Sequence, residues 1–212
     1  MADAPVEAQP SRQPRSGNAL TRGLGRGLLR VTGWRIEGHV PDEPKLLLLG
    51  APHTSYFDFV LTKLTAWTVG VRLSWVGKKA LFPAPIAPLV RWAGGIPVDR
   101  ATSEGFVERM VEEFQQRDRF YLALMPEGGI HKDQWRSGFY HIALGADVPM
   151  LLVAFDWGRR TVRIGPMLTA LPNAAVDDEI GRIQAHFAGV RGRARTSAHA
   201  DLTDARRGDR AS

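Results

Sequence analysis

Six short apolar runs punctuate the chain, each bounded by proline, glycine or charge: Lys45 to Ala51 (KLLLLGA), Val71 to Gly77 (VRLSWVG), Ile96 to Val98, Phe120 to Met125 (FYLALM), Met150 to Phe155 (MLLVAF) and Thr161 to Ile164. Consecutive rather than alternating apolar residues are what a strand shows when both faces of its sheet are covered. The stretches between them predict helices over Tyr56 to Val69, Pro85 to Ala93, Glu104 to Arg117, Gly138 to Gly145 and Val176 to Phe187. Strands separated by helices give the α/β class, a mostly parallel mixed sheet with helices on both faces. Upstream, Leu20, Leu24, Leu28 and Val31 fall at helical spacing with Arg22, Arg26 and Arg30 between them. That segment reads as a membrane-surface helix, a helix packed on the domain, or a loose arm, because Gly23, Gly25 and Gly27 each weaken a helix by ~1 kcal/mol.

With 212 residues the chain suits one domain with a substantial core, placed at 31–188 between a basic N-terminal arm (1–30) and a basic tail (189–212). Residues 1–17 are rich in Pro, Ala, Arg and Ser, and the tail nearly lacks large apolar side chains, so both are expected to be disordered. The formal charge of +6 sits in these arms: five arginines face Asp3 and Glu7 up to Arg30, and six face three aspartates from Gly189 onward. The folded part is neutral, which argues against nucleic acid as a partner; the arms are either simply solvated or drawn to anionic lipid or polyphosphate. There is no cysteine, so disulfides and thiolate chemistry are excluded and His, carboxylates, hydroxyls or Lys must carry any reaction. No apolar stretch reaches the ~18 residues of a membrane span and the N-terminus has no signal-peptide core, which places the chain in the cytoplasm.

Against that background APHTSYFD, Ala51 to Asp58, stands out. His53 follows a strand at its C-terminal end, where ligand sites of open α/β sheets gather. Asp58, one turn into the next helix, can reach back to a ring N–H and leave the other nitrogen as a general base. The same spacing allows a blander account, a Ser55-x-x-Asp58 capping box that serves only the helix. A second His-Asp pair with identical spacing, His199 and Asp204, lies in the tail and is set aside.

These residues carry a resemblance. APHTSYFD resembles the first motif of the glycerolipid acyltransferase family, the 1-acylglycerol-3-phosphate and glycerol-3-phosphate acyltransferases. GGIPVDR (Gly94 to Arg100) resembles the second motif, MPEGG (Met125 to Gly129) the third, and WRSGFYHIA with the apolar VPMLLVAF the fourth, over about Trp34 to Gly165. The resemblance implies a glycerol-3-phosphate acyltransferase-like fold and acyl transfer from acyl-CoA or acyl carrier protein to a hydroxyl, with no metal and no cofactor beyond that co-substrate. His53 would take the hydroxyl proton and Asp58 would orient the ring. Glu127 would accept from the acceptor, with Gly128 and Gly129 leaving the backbone open to close approach; Lys78 and Arg100 would neutralise phosphate. The family's third motif commonly reads PEGT followed by Arg, whereas Gly129 and Ile130 stand here, so the acceptor, a lysophospholipid or a glycerol-phosphate-like molecule, is left open. His131 and Lys132 offer substitutes for the missing cation.

The fatty chain needs an apolar groove, and the candidates are Leu81 to Trp92 and the helix with Phe59, Leu61, Leu64 and Trp67; both also read as ordinary core. Exposed, the first of these beside Lys78, Lys79 and Arg91 would suit peripheral docking on the inner face of an anionic membrane. Two other functions compete: hydrolysis of a thioester or ester by the same pair, and a non-catalytic lipid- or nucleic-acid-binding protein.

Overall fold

The structure, a computed structural model, describes residues 11–98, 105–129 and 134–193. Within them lie seven strands, β1 (Arg35–Glu37), β2 (Lys45–Ala51), β3 (Ser74–Lys78), β4 (Gly95–Val98), β5 (Phe120–Leu124), β6 (Met150–Asp156) and β7 (Thr161–Leu168). The helices are α1 (Ala19–Val31), α2 (Tyr56–Val69), α3 (Ala87–Trp92), α4 (Phe106–Gln115), α5 (Gly138–Ala146) and α6 (Val176–Ala185). The strands form one sheet in the order β1-β7-β6-β2-β5-β3-β4, parallel throughout except where β7 returns antiparallel beside β6.

Alternation along the central strands explains the consecutive apolar runs. Leu47 and Leu49 of β2, with Phe120 and Leu122 of β5 and Met150 and Leu152 of β6, pack under α4, α5 and α6. Their neighbours Leu46 and Leu48, Tyr121, and Leu151 and Val153 face the other way, against α1 and α2. Because both layers are covered, β2 and β6 have no polar face to show. The C-terminal ends of β2, β3 and β5 lie along one edge of the sheet, and residues that follow them emerge together there.

Four sequence expectations change. β1 pairs with β7 although RIE carries no apolar run. Val71 belongs to an isolated bridge with Arg15 rather than to β3. The N-terminal segment is held rather than loose where it is described: the Gln13 side chain donates to the carbonyls of Val40 (3.0 Å) and Pro41 (3.1 Å), and Pro14 accepts from Arg72 N–H. Net neutrality of the domain also conceals a local asymmetry. A cleft of about 610 Å³ beside edge strand β4 and the start of β5 gathers Arg72, Arg91, Arg109, Arg117 and Arg119, with Glu113 as the acidic residue among its lining.

Candidate active site

The chain leaves β2 at Ala51 and turns through Pro52 to Ser55 into α2. Ser55 is the extended N-cap (φ −153°, ψ 151°), its Oγ accepting the Phe57 N–H at 3.2 Å. Asp58, the third helical residue, accepts the Ser55 N–H at 2.8 Å and so completes a capping box. The same oxygen, Oδ2, also accepts the Thr54 N–H at 2.8 Å and faces His53 Nδ1 at 3.3 Å. The helix-capping and imidazole-facing accounts of Asp58 are therefore one arrangement. Its other oxygen, Oδ1, takes the indole N–H of Trp157 at 2.8 Å. Asp58 is wholly buried while 15% of the His53 side chain is exposed, so the ring spans from a sealed carboxylate to accessible space. With Nδ1 facing Asp58, Nε2 is the ring nitrogen turned away from the carboxylate.

The second component comes from the adjoining strand. After β5, Met125 to Gly128 form a tight turn in which Gly128 (φ 65°) donates to Met125 O at 2.9 Å, a left-handed conformation that glycine adopts without steric cost. Glu127, only 5% exposed, accepts the backbone N–H of His53 on Oε1 at 3.2 Å, a bond that spans 74 positions and joins the two motifs. Its Oε2 is buried with no hydrogen-bond partner among the described residues. Burial raises the Glu127 carboxyl above its usual value, with hydrogen bonds from its own backbone N–H and that of His53 and the nearby His53 ring pulling it down. A buried acceptor without a donor is unfavourable.

Lys78 ends β3 on the same sheet edge and is exposed. Arg100, His131 and Lys132 lie outside the described residues, as does the His199–Asp204 pair. The structure thus assembles His53, Asp58, Glu127 and Gly128, with Gly129 next in the turn.

A family model described as Acyltransferase matches residues 34–156. The chain belongs to the acyltransferase family. In fold this acyltransferase is similar to the 1-acyl-sn-glycerophosphate (LPA) acyltransferase PlsC from Thermotoga maritima, with TM-score 0.55 and 14% identity over 82% of this chain and 80% of that one. No curated protein matches it in sequence.

Three residues of the acyltransferase's site have no counterpart in the expectations from sequence. Arg136 donates its backbone N–H to Pro126 O at 3.0 Å and lays its exposed side chain across Gly128, Cδ and Nε 3.3 Å from where a Cβ would stand. It lies in WRSGFY, visible in sequence as part of a motif but not as a neighbour of Glu127. Trp157 follows β6, and Arg193 belongs to the tail expected to be disordered, so neither gave a local signal.

The residues of the two candidate acyl grooves differ in exposure. On α2, Leu61 is a buried core residue, Phe59 and Leu64 are half-buried and Trp67 is exposed, and an apolar cavity of about 40 Å³ lined by Thr62, Ala66, Leu73 and Met125 lies between the helix and the sheet. By contrast Leu81, Ile86, Leu89 and Trp92 lie on the surface.

Proposed function

We propose that this acyltransferase moves a fatty acyl group from a thioester donor, acyl-CoA or acyl carrier protein, to a hydroxyl of a lysophospholipid or glycerol-phosphate-like acceptor. The reading rests on His53 Nδ1 lying 3.3 Å from a carboxylate that is fully buried and bonded on both oxygens. As the acceptor oxygen attacks the thioester carbonyl carbon, its proton passes to His53 Nε2 and a C–O bond forms. Collapse of the tetrahedral adduct breaks the C–S bond, and the imidazolium returns the proton to the departing thiolate. Asp58 aims the ring and balances its transient charge. Glu127 Oε2 accepts from a hydroxyl of the acceptor, Gly128 and Gly129 give it room, and Lys78 and Arg100 hold phosphate. Arg136, lying over Gly128, supplies the cation that Ile130 does not.

The acceptor is met at a membrane surface in this reading. Leu20, Leu24, Leu28 and Val31 form an exposed apolar stripe on α1, Val31 being 87% exposed, beside Arg22, Arg26 and Arg30. Among the described residues no helix is long and apolar enough to cross a membrane, so the contact would be interfacial.

The test is thioester consumption by wild type and His53→Ala with lysophospholipid, glycerol-phosphate and phosphate-free acceptors. The substitution is expected to lower transfer by about 10²- to 10⁴-fold with the melting temperature retained. Unchanged turnover would remove His53 from the chemistry, and consumption that ignores the acceptor would make the protein a hydrolase.

A further inference from the structure

We propose that Trp157 and Arg193 form a positioning unit for the His53–Asp58 pair: the indole N–H fixes the second oxygen of Asp58, and Arg193 fastens the indole to the turn that carries His53. The proposal rests on the general-base reading above and adds two residues from outside the four motifs.

A carboxylate turns easily about its terminal torsion, whose preference is broad and roughly two-fold. With Oδ1 free, Asp58 could swing out of the plane that serves Thr54, Ser55 and His53. The Trp157 indole can only donate, and at 2.8 Å from Oδ1 it closes that freedom. Trp157 is itself confined on several sides. Trp34 meets it edge-on at 5.0 Å, its backbone N–H donates to Arg191 O at 2.8 Å, and the Arg193 guanidinium lies 5.0 Å over its ring.

Arg193 reaches the other side of the pair as well. Its guanidinium lies 4.4 Å over Phe57, its Nη1 donates to Ser55 Oγ at 3.2 Å, and its backbone N–H donates to Thr54 Oγ1 at 2.8 Å. Gly192 passes so close to Thr54 that any side chain there would collide with it. Thr54 and Ser55 are the two residues whose backbone N–H groups bind Asp58, so the segment after α6 grips the same turn from outside that Asp58 grips from within. A merely solvated tail would not place one guanidinium over two rings and bond the same residue, by side chain and backbone, to successive residues of this turn.

Trp157→Phe keeps the ring and removes the donor. It is expected to lower kcat about 10- to 100-fold, with KM for donor and acceptor little changed and the melting temperature near that of wild type. In an Asp58→Asn background the same substitution should cost nothing further, because an amide NH₂ facing the indole N–H has no bond to lose. Arg193→Met should lower kcat in the same direction and add nothing to Trp157→Phe. Should Trp157→Phe fail to fold, the cycle between Arg193→Met and Asp58→Asn carries the test. Full activity in Trp157→Phe, a change confined to KM, or losses that multiply in the Asp58→Asn background would overturn the proposal. An active His53→Ala would instead refute the base reading beneath it; an inactive one beside a fully active Trp157→Phe would sink the positioning unit alone.

Discussion

Glu127 is the residue whose environment is most at odds with its charge. Its carboxyl is buried, one oxygen bonded by the His53 N–H and the other without a partner among the described residues. Burial raises its pKa above the 4.5 of a free glutamate. The folded protein therefore binds that proton more readily than the unfolded chain. Ionisation of Glu127 costs stability as pH rises above 4.5, and the cost is absent below it. Glu127→Gln is accordingly expected to melt above wild type near neutral pH, with the gain vanishing as pH falls toward 4.5, and to transfer acyl groups more slowly because an amide N–H₂ would face the acceptor hydroxyl. Thermal scans across pH decide it: a gain that stays constant with pH would show that Glu127 is not burdened by its charge. Asp58 illustrates the opposite economy, since four donors converge on its two oxygens and nothing is left unmet.

At the scale of elements, α1 shows how glycines that weaken an isolated helix can fit a packed one. Gly25 meets α2 so closely that a Cβ would stand 3.0 Å from Leu64 O and 2.8 Å from Thr68 Oγ1, while a Cβ at Gly23 or Gly27 would meet nothing within 4 Å. Gly25→Ala is therefore expected to destabilise the protein, and Gly23→Ala or Gly27→Ala to stabilise it by about 0.5–1 kcal/mol each, as read in denaturant midpoints. Equal effects at the three positions would deny the α1–α2 seam. Sequence could not choose among the accounts of α1, because packing of Gly25 depends on a partner 39 positions away. It did locate α2 and β2 to the residue, since a capping box and an uninterrupted leucine run are local signals. The same contrast governs the site. The closeness of His53 and Asp58 was legible from a spacing of five, whereas Trp157 reaches Asp58 across 99 positions and β1 is a strand only by virtue of β7.

For the molecule as a whole, the distribution of exposed apolar and basic groups matters more than the total charge. The α1 stripe is exposed beside Arg22, Arg26 and Arg30, and Leu89 and the 77% exposed Trp92 of α3 are exposed beside Arg91. Sedimentation with vesicles is expected to recover the protein on anionic lipid more than on zwitterionic lipid. Leu24→Asp with Leu28→Asp should reduce both that recovery and turnover of vesicle-borne acceptor while sparing a soluble short-chain acceptor. Equal loss on both acceptors would mean that the stripe serves folding instead. The clasp between Arg193 and Thr54 joins positions 139 apart. During synthesis the turn bearing His53 is made early, yet its outer fastening, Arg193, follows only after the sheet's last strand has been made. Every strand of the sheet, through Leu168, thus precedes in synthesis the residue that fastens this turn from outside.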